Sequence, residues 1–160
     1  MRGRPHADRV LAEAQLWLNT PYVHQMSVRG VGCDCLGLIR GVWRALYGPE
    51  PEPVPPYAPD WAESGPDERL IGALSRWLNP VGGNAVQAGD VVVFRIRPDC
   101  VAKHAAILSA KAGGSARMIH AYWGRAVVES AVGPWWRERF AGAFRFPAGG
   151  EDPTDAKQEV

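Results

Sequence analysis

Three side chains in this sequence have types that could cooperate in acyl chemistry: Cys35, His104 and His120. Cys35 directly follows Asp34, at the expected start of a helix. A helix N-terminus carries partial positive charge, which favours a thiolate over a thiol. At an exposed site this is worth only about 0.3–1 kcal/mol, so an imidazole must complete the activation. His104 opens the apolar run Ala-Ala-Ile-Leu, and His120 ends Met-Ile-His-Ala. If these runs are antiparallel neighbours, the rings meet. Cys35 is then the nucleophile, His104 its base, and His120 the group that orients the far nitrogen of His104. On that reading the pair is expected to rest as thiolate and imidazolium. The same residues admit a plainer reading, with the cysteine as a small buried side chain and the histidines as structural groups.

Other combinations fit less well. Cys33 and Cys35 are one residue apart, whereas structural zinc pairs run C-x₂₋₄-C and redox pairs C-x-x-C. Cys33 and Cys100 are therefore not read as ligands, and no metal or cofactor is expected. His24 lies in the loop before the cysteines and His6 near the start of the chain.

The elements that must carry these residues follow from periodicity. Val10, Leu11, Ala14, Trp17 and Leu18 predict a helix over 7–18, which Asn19-Thr20-Pro21 ends. Leu38, Ile39, Val42, Trp43 and Leu46 predict a second, from Asp34 to Tyr47, with Asp34 as N-cap and Gly48-Pro49 as stop. A third is predicted over 67–78. The segment 49–66 opens with a proline-rich stretch and reads as an extended surface insert. Beyond Gly83 the pattern turns to strands: 91–94, 104–108, 118–122, 126–129 and 140–146, with a turn at Ala112-Gly113-Gly114-Ser115. Helices followed by strands indicate an α+β domain, helices packed on one antiparallel sheet, over residues 1–148. The acidic tail 149–160 is expected to be mobile.

The chain has 160 residues, 46% hydrophobic and 22% charged, with a formal net charge of +1. That suits one globular domain. It argues against a dedicated nucleic-acid binder, which would carry a basic excess. No apolar run is long enough to span a bilayer. The basic start lacks the apolar segment of a secretory signal, so synthesis in a reducing cytoplasm is expected. Three cysteines then read as free thiols.

Five blocks carry a resemblance. Asn19-Thr20-Pro21-Tyr22 and Gly32-Cys33-Asp34-Cys35-Leu36-Gly37-Leu38 resemble the G-T-P-Y and D-C-S-G-L signatures of the NlpC/P60 cysteine peptidases. Gly89-Asp90-Val91-Val92-Val93-Phe94, Lys103-His104-Ala105-Ala106-Ile107 and Met118-Ile119-His120-Ala121 resemble that family's G-D-L-V-F-F, S-H-V-G-I and I-H-A segments. Together they span Asn19 to Ser130 in the family's order. The His24-Gln25 stretch and the ending Pro-Trp-Trp-Arg…Phe-Arg-Phe-Pro are similar to cell-wall peptidases encoded with tail genes of phages and gene transfer agents.

The resemblance implies a papain-like NlpC/P60 fold. It also implies hydrolysis of peptidoglycan stem peptides, commonly between D-γ-glutamate and a diamino acid. It assigns Cys35, His104 and His120 as catalytic groups and Tyr22 as an oxyanion donor. Asp34 matches the acidic residue before the nucleophile. His24, which with Gln25 departs from the family's frequent Gly-Gly, is a substrate-side candidate, with a structural role as the alternative. Leu36 departs from the family serine, and the proline-rich insert is an addition. The implied partners are stem peptides and the hub or tip proteins of a phage-like tail, with no nucleic acid or membrane bound. The tail would carry the enzyme to the wall of a recipient cell. Trp123, Trp135 and Trp136 are candidates to line a peptide groove, with at least one of them expected to serve buried packing instead. A structural tail subunit with little activity, or an amidase or acyltransferase on the same scaffold, remain the alternatives.

Overall fold

The computed structural model describes residues 5–51, 68–110 and 115–148. Most of the proline-rich insert, the Ala112–Gly114 part of the predicted turn and the acidic tail lie outside them. The elements in chain order are α1 (Pro5–Leu16), β1 (Ser27–Val28), β2 (Gly32–Cys33), α2 (Cys35–Tyr47), α3 (Arg69–Trp77), β3 (Asn79–Val81), β4 (Val91–Phe94), β5 (His104–Ala110), β6 (Arg117–Ala121), β7 (Val127–Ala131), α4 (Pro134–Arg137) and β8 (Phe140–Arg145). Six strands form an antiparallel sheet in the order β3-β8-β4-β5-β6-β7, and β1 and β2 form a small separate hairpin. Among the described residues, no helix is long and apolar enough to cross a membrane.

The sheet alternates between two buried faces, as strand geometry requires. Val91, Val93, Ala105, Ile107, Ile119 and Ala121 join the core formed with α1, α2 and α3. Val92, Phe94, Ala106, Leu108 and Met118 face the other way, towards Val132 and Trp136. Burial on both faces explains why β4 reads as a continuous apolar run rather than an alternating one. Its entry is fixed by Gly89, whose φ of +93° suits a residue without a Cβ. Buried Asp90 accepts from Arg145 Nε and Nη2, both at 2.8 Å, which ties the start of β4 to β8.

α2 is the central helix. Asp34 caps it: Oδ1 accepts from the Gly37 N–H at 2.7 Å. Gly48 ends it at φ +87°. Trp17, just past the end of α1, approaches so closely that a Cβ at Gly41 would lie 2.0 Å from its ring. Alanine normally improves a helix over glycine by up to about 1 kcal/mol. Here Gly41→Ala is expected to destabilise the protein by about 1–3 kcal/mol through overpacking, seen as a lower urea midpoint.

The predicted helices shift by about a turn or less at their ends. α1 stops at Leu16, and the chain then turns through Asn19, at φ +70°. The short elements β1, β2, β3 and α4 are additions to the elements read from the sequence.

Candidate active site

Cys35 is the first residue of α2. Its N–H therefore has no partner within the helix. Its thiol donates to the carbonyl oxygen of Lys103 at 3.7 Å, so the sulfur meets β5 at the residue before His104. The Ala105 backbone also interacts with this sulfur in the sense that favours its anion. Residues 68 positions apart are thus joined at the entry of β5.

His104 and His120 come together because of strand register. Ile107 pairs with Ile119 and Leu108 with Met118. Carried one residue further, that register would set Ala106 opposite His120, and strand alternation then puts His104 on the same face, two residues along. His104 Nε2 lies 2.9 Å from His120 Nδ1. Since Nε2 is committed there, Nδ1 is the nitrogen left for proton exchange with a nucleophile. His120 Nε2 in turn lies 2.8 Å from the hydroxyl of Ser130, on β7. Trp136 packs over the pair, with ring centroids 5.2 Å from His104 and 5.5 Å from His120.

Tyr22 is held by backbone pairing on both sides. Its N–H donates to the Arg125 carbonyl at 2.9 Å, and the Cys33 N–H donates to the Pro21 carbonyl at 3.0 Å. The Tyr22 ring stacks on Trp123 at 6.0 Å. Both carboxylate oxygens of Asp34 are engaged with backbone: Oδ2 accepts from the Gln25 N–H at 2.8 Å, complementing the Oδ1 cap. His24 Nδ1 lies 3.9 Å from Oδ2. Asp34 therefore shapes the loop and the helix start.

These residues share one cavity of about 320 Å³. Cys35, His104, Tyr22, His24, Asp34 and Lys103 contribute to its lining. Tyr122, Trp123, Trp135 and Trp136 form its aromatic wall. Trp123 is 66% exposed and Trp135 45% exposed, so they rim it, while Trp136 is half-buried against the histidines. Leu36, where the resemblance led to serine, is a core residue that also reaches this cavity. Cys33 lies buried in β2, and Cys100 sits beside the Arg97 guanidinium, 3.2 Å from Nη2; neither lines the cavity. Among the described residues no group of three His, Cys, Asp or Glu side chains could hold a metal ion.

The electrostatics correct one expectation. Burial, and then the neighbouring Asp34 carboxylate, push the Cys35 thiol up to about 12. Burial, and then His120, push the His104 ring down to about 3, and burial takes His120 down to about 4. These directions favour a neutral thiol beside neutral imidazoles over the expected thiolate–imidazolium pair. The helix-end field is too small to outweigh desolvation of the sulfur. Moving a proton from a thiol to a nearby imidazole conserves net charge and creates two mutually attracting ions, so such a transfer can wait for the moment of attack. Burial, then Cys35 and Asp34, also raise the Tyr22 phenol, which keeps it a neutral hydrogen-bond donor.

An arrangement of half-buried thiol, imidazole relay and phenol suits nucleophilic attack on a carbonyl carbon. If the Tyr22 hydroxyl receives the oxyanion, Tyr22→Phe should lower kcat by about 10²- to 10³-fold with the fold unchanged, measured by steady-state kinetics. Equal rates for Tyr22→Phe and the unaltered protein would remove Tyr22 from that role.

Neither a protein-family profile nor a curated protein matches the sequence. Solved structures do. An NLP/P60 family protein of Staphylococcus aureus, described as similar to lipoprotein, matches with a TM-score of 0.58 at 20% identity. An NlpC/P60 family protein of Bacillus cereus gives 0.60 at 22%. Each match covers 90% of this chain, which spans only about two fifths of those proteins, 42% and 41%. The NlpC/p60 domain of the peptidoglycan hydrolase SagA gives 0.57 at 23% identity, covering 88% of this chain and 98% of that domain. The chain has the α+β fold of NlpC/P60 proteins.

Proposed function

We propose that this protein is a cysteine peptidase that cleaves peptidoglycan stem peptides. The observation that carries the reading is the cavity where the Cys35 sulfur, at the α2 N-terminus, meets the strand that begins with His104, itself hydrogen-bonded to His120. The fold shared with a peptidoglycan hydrolase domain supports the substrate class.

In the proposed reaction the Cys35 sulfur attacks the amide carbon while its proton passes to His104 Nδ1. The tetrahedral oxyanion accepts hydrogen bonds from the Cys35 N–H and the Tyr22 hydroxyl. His104 then protonates the departing amine, which leaves a thioester. Water, losing its proton to the same ring, attacks the thioester and releases the acid and the free thiol. The aromatic wall shields these steps from bulk water, which strengthens the hydrogen bonds that stabilise charge.

The sequence blocks that resemble NlpC/P60 peptidases support a finer assignment, the bond between D-γ-glutamate and a diamino acid. Digestion of purified peptidoglycan followed by mass analysis tests both levels. New α-amino groups on the diamino acid are expected. Release of intact stems from the sugar would instead establish an amidase, and no products would favour a structural subunit. We further propose carriage in a phage-like tail, on the strength of the sequence resemblance; labelling of purified particles with antibody at the tail tip tests it.

A further inference from the structure

We infer that Ser130 is a positioning residue of this site: its hydroxyl accepts the outer N–H of His120 and so sets the direction of the whole hydrogen-bond chain. The inference rests on the peptidase reading above and extends it by one side chain.

The argument is a count of protons. Two rings and a hydroxyl stand in line, His104 Nε2 to His120 Nδ1 at 2.9 Å and His120 Nε2 to Ser130 Oγ at 2.8 Å. A neutral imidazole carries one N–H. The chain therefore has two possible directions. In one, each N–H points away from Cys35, and His104 Nδ1 presents a lone pair. In the other, the Ser130 O–H donates inward, each ring passes the direction on, and His104 Nδ1 carries a hydrogen where a base is required. Once His104 has taken the thiol proton, both its nitrogens are donors. His120 Nδ1 must then accept, the His120 proton must sit on Nε2, and Ser130 must accept it. Only the outward direction is compatible with the charged ring formed during attack.

The surroundings suit this role. Burial holds both rings in their neutral forms, so a single tautomer choice at His120 decides the direction. Ser130 pairs with Met118 of β6, which fixes its backbone next to the strand that carries His120. It does not line the Cys35 cavity. It borders a second opening of about 390 Å³, bounded also by Arg125 and His120 and walled from the first by Tyr122, Trp135 and Trp136. The Ser130 hydroxyl proton can therefore turn to solvent while its lone pair receives His120. Substrate in the first cavity would not touch it.

The test uses Ser130→Ala and Ser130→Thr in the full chain. With soluble stem peptides, Ser130→Ala should lower kcat by about 10-fold, the size of one lost hydrogen bond, and leave KM within about 2-fold. Ser130→Thr keeps the hydroxyl and should restore the rate. Nitrogen-15 NMR of labelled histidines reads the direction without any turnover. The unaltered protein should show His120 protonated at Nε2 and bare at Nδ1, and Ser130→Ala should show a mixture. Unchanged kcat in Ser130→Ala, or identical histidine spectra, would overturn the inference. If the unaltered protein cleaves nothing, the peptidase reading fails, and the NMR comparison alone decides the role of Ser130.

Discussion

Cys35→Ala is expected to take hydrolysis of peptidoglycan below detection, a loss of about 10⁶-fold in kcat, because a nucleophile and its base act as a unit. On the proposed reading the sulfur forms the covalent intermediate. Its replacement by a methyl group also removes the donor to the Lys103 carbonyl. Lys103 is half-buried and lines the cavity, so the fold should survive the loss of this one long contact. Circular dichroism and the urea midpoint should be near those of the unaltered protein. Substrate should still bind, since Tyr22, His24 and the aromatic wall remain. Product analysis on intact wall gives the readout, and residual activity comparable to the unaltered protein would falsify the nucleophile assignment.

His104→Ala is expected to be almost as damaging, about 10³-fold or more. The reason lies in the direction of the thiol shift. Burial and Asp34 hold Cys35 protonated, so without an acceptor the sulfur has no route to its anion near neutral pH. Activity should not return at moderately alkaline pH, because the thiol stays protonated well above its ordinary value of 9.0. The double variant Cys35→Ala with His104→Ala should be no worse than Cys35→Ala alone, which distinguishes one catalytic unit from two independent contributions. His104→Gln controls for the space that alanine would leave beside Phe94 and Trp136.

Much of this arrangement is legible in the residues. The α2 stripe and the Asp34 cap are local signals, and the structure carries both at the expected positions. The run Val91–Phe94 is strand over its whole length. The approach of His104 and His120 follows from alternation along two strands that pair antiparallel. What escaped notice depends on distant partners. Ser130 has no distinguishing neighbour in sequence; only the β6–β7 register brings it to His120. The pairs of residues that form β1 and β2 are too short for any period to register. Pro80 within β3 hides a strand that survives at a sheet edge, where a missing N–H is tolerated. The direction of the thiol and imidazole shifts is also not legible in sequence, because desolvation depends on the matter packed around a group rather than on its neighbours in the chain.

The sulfur and the ring belong to different halves of the polypeptide, one opening a helix, the other opening a strand 69 positions later. A ribosome that has released only the helices has made no usable nucleophile, since the partner that would take its proton does not yet exist. The proposed pair is complete only once the sheet is packed on the helical layer. A fragment that holds only one half lacks the group on the other, so no incomplete copy could run the proposed cleavage.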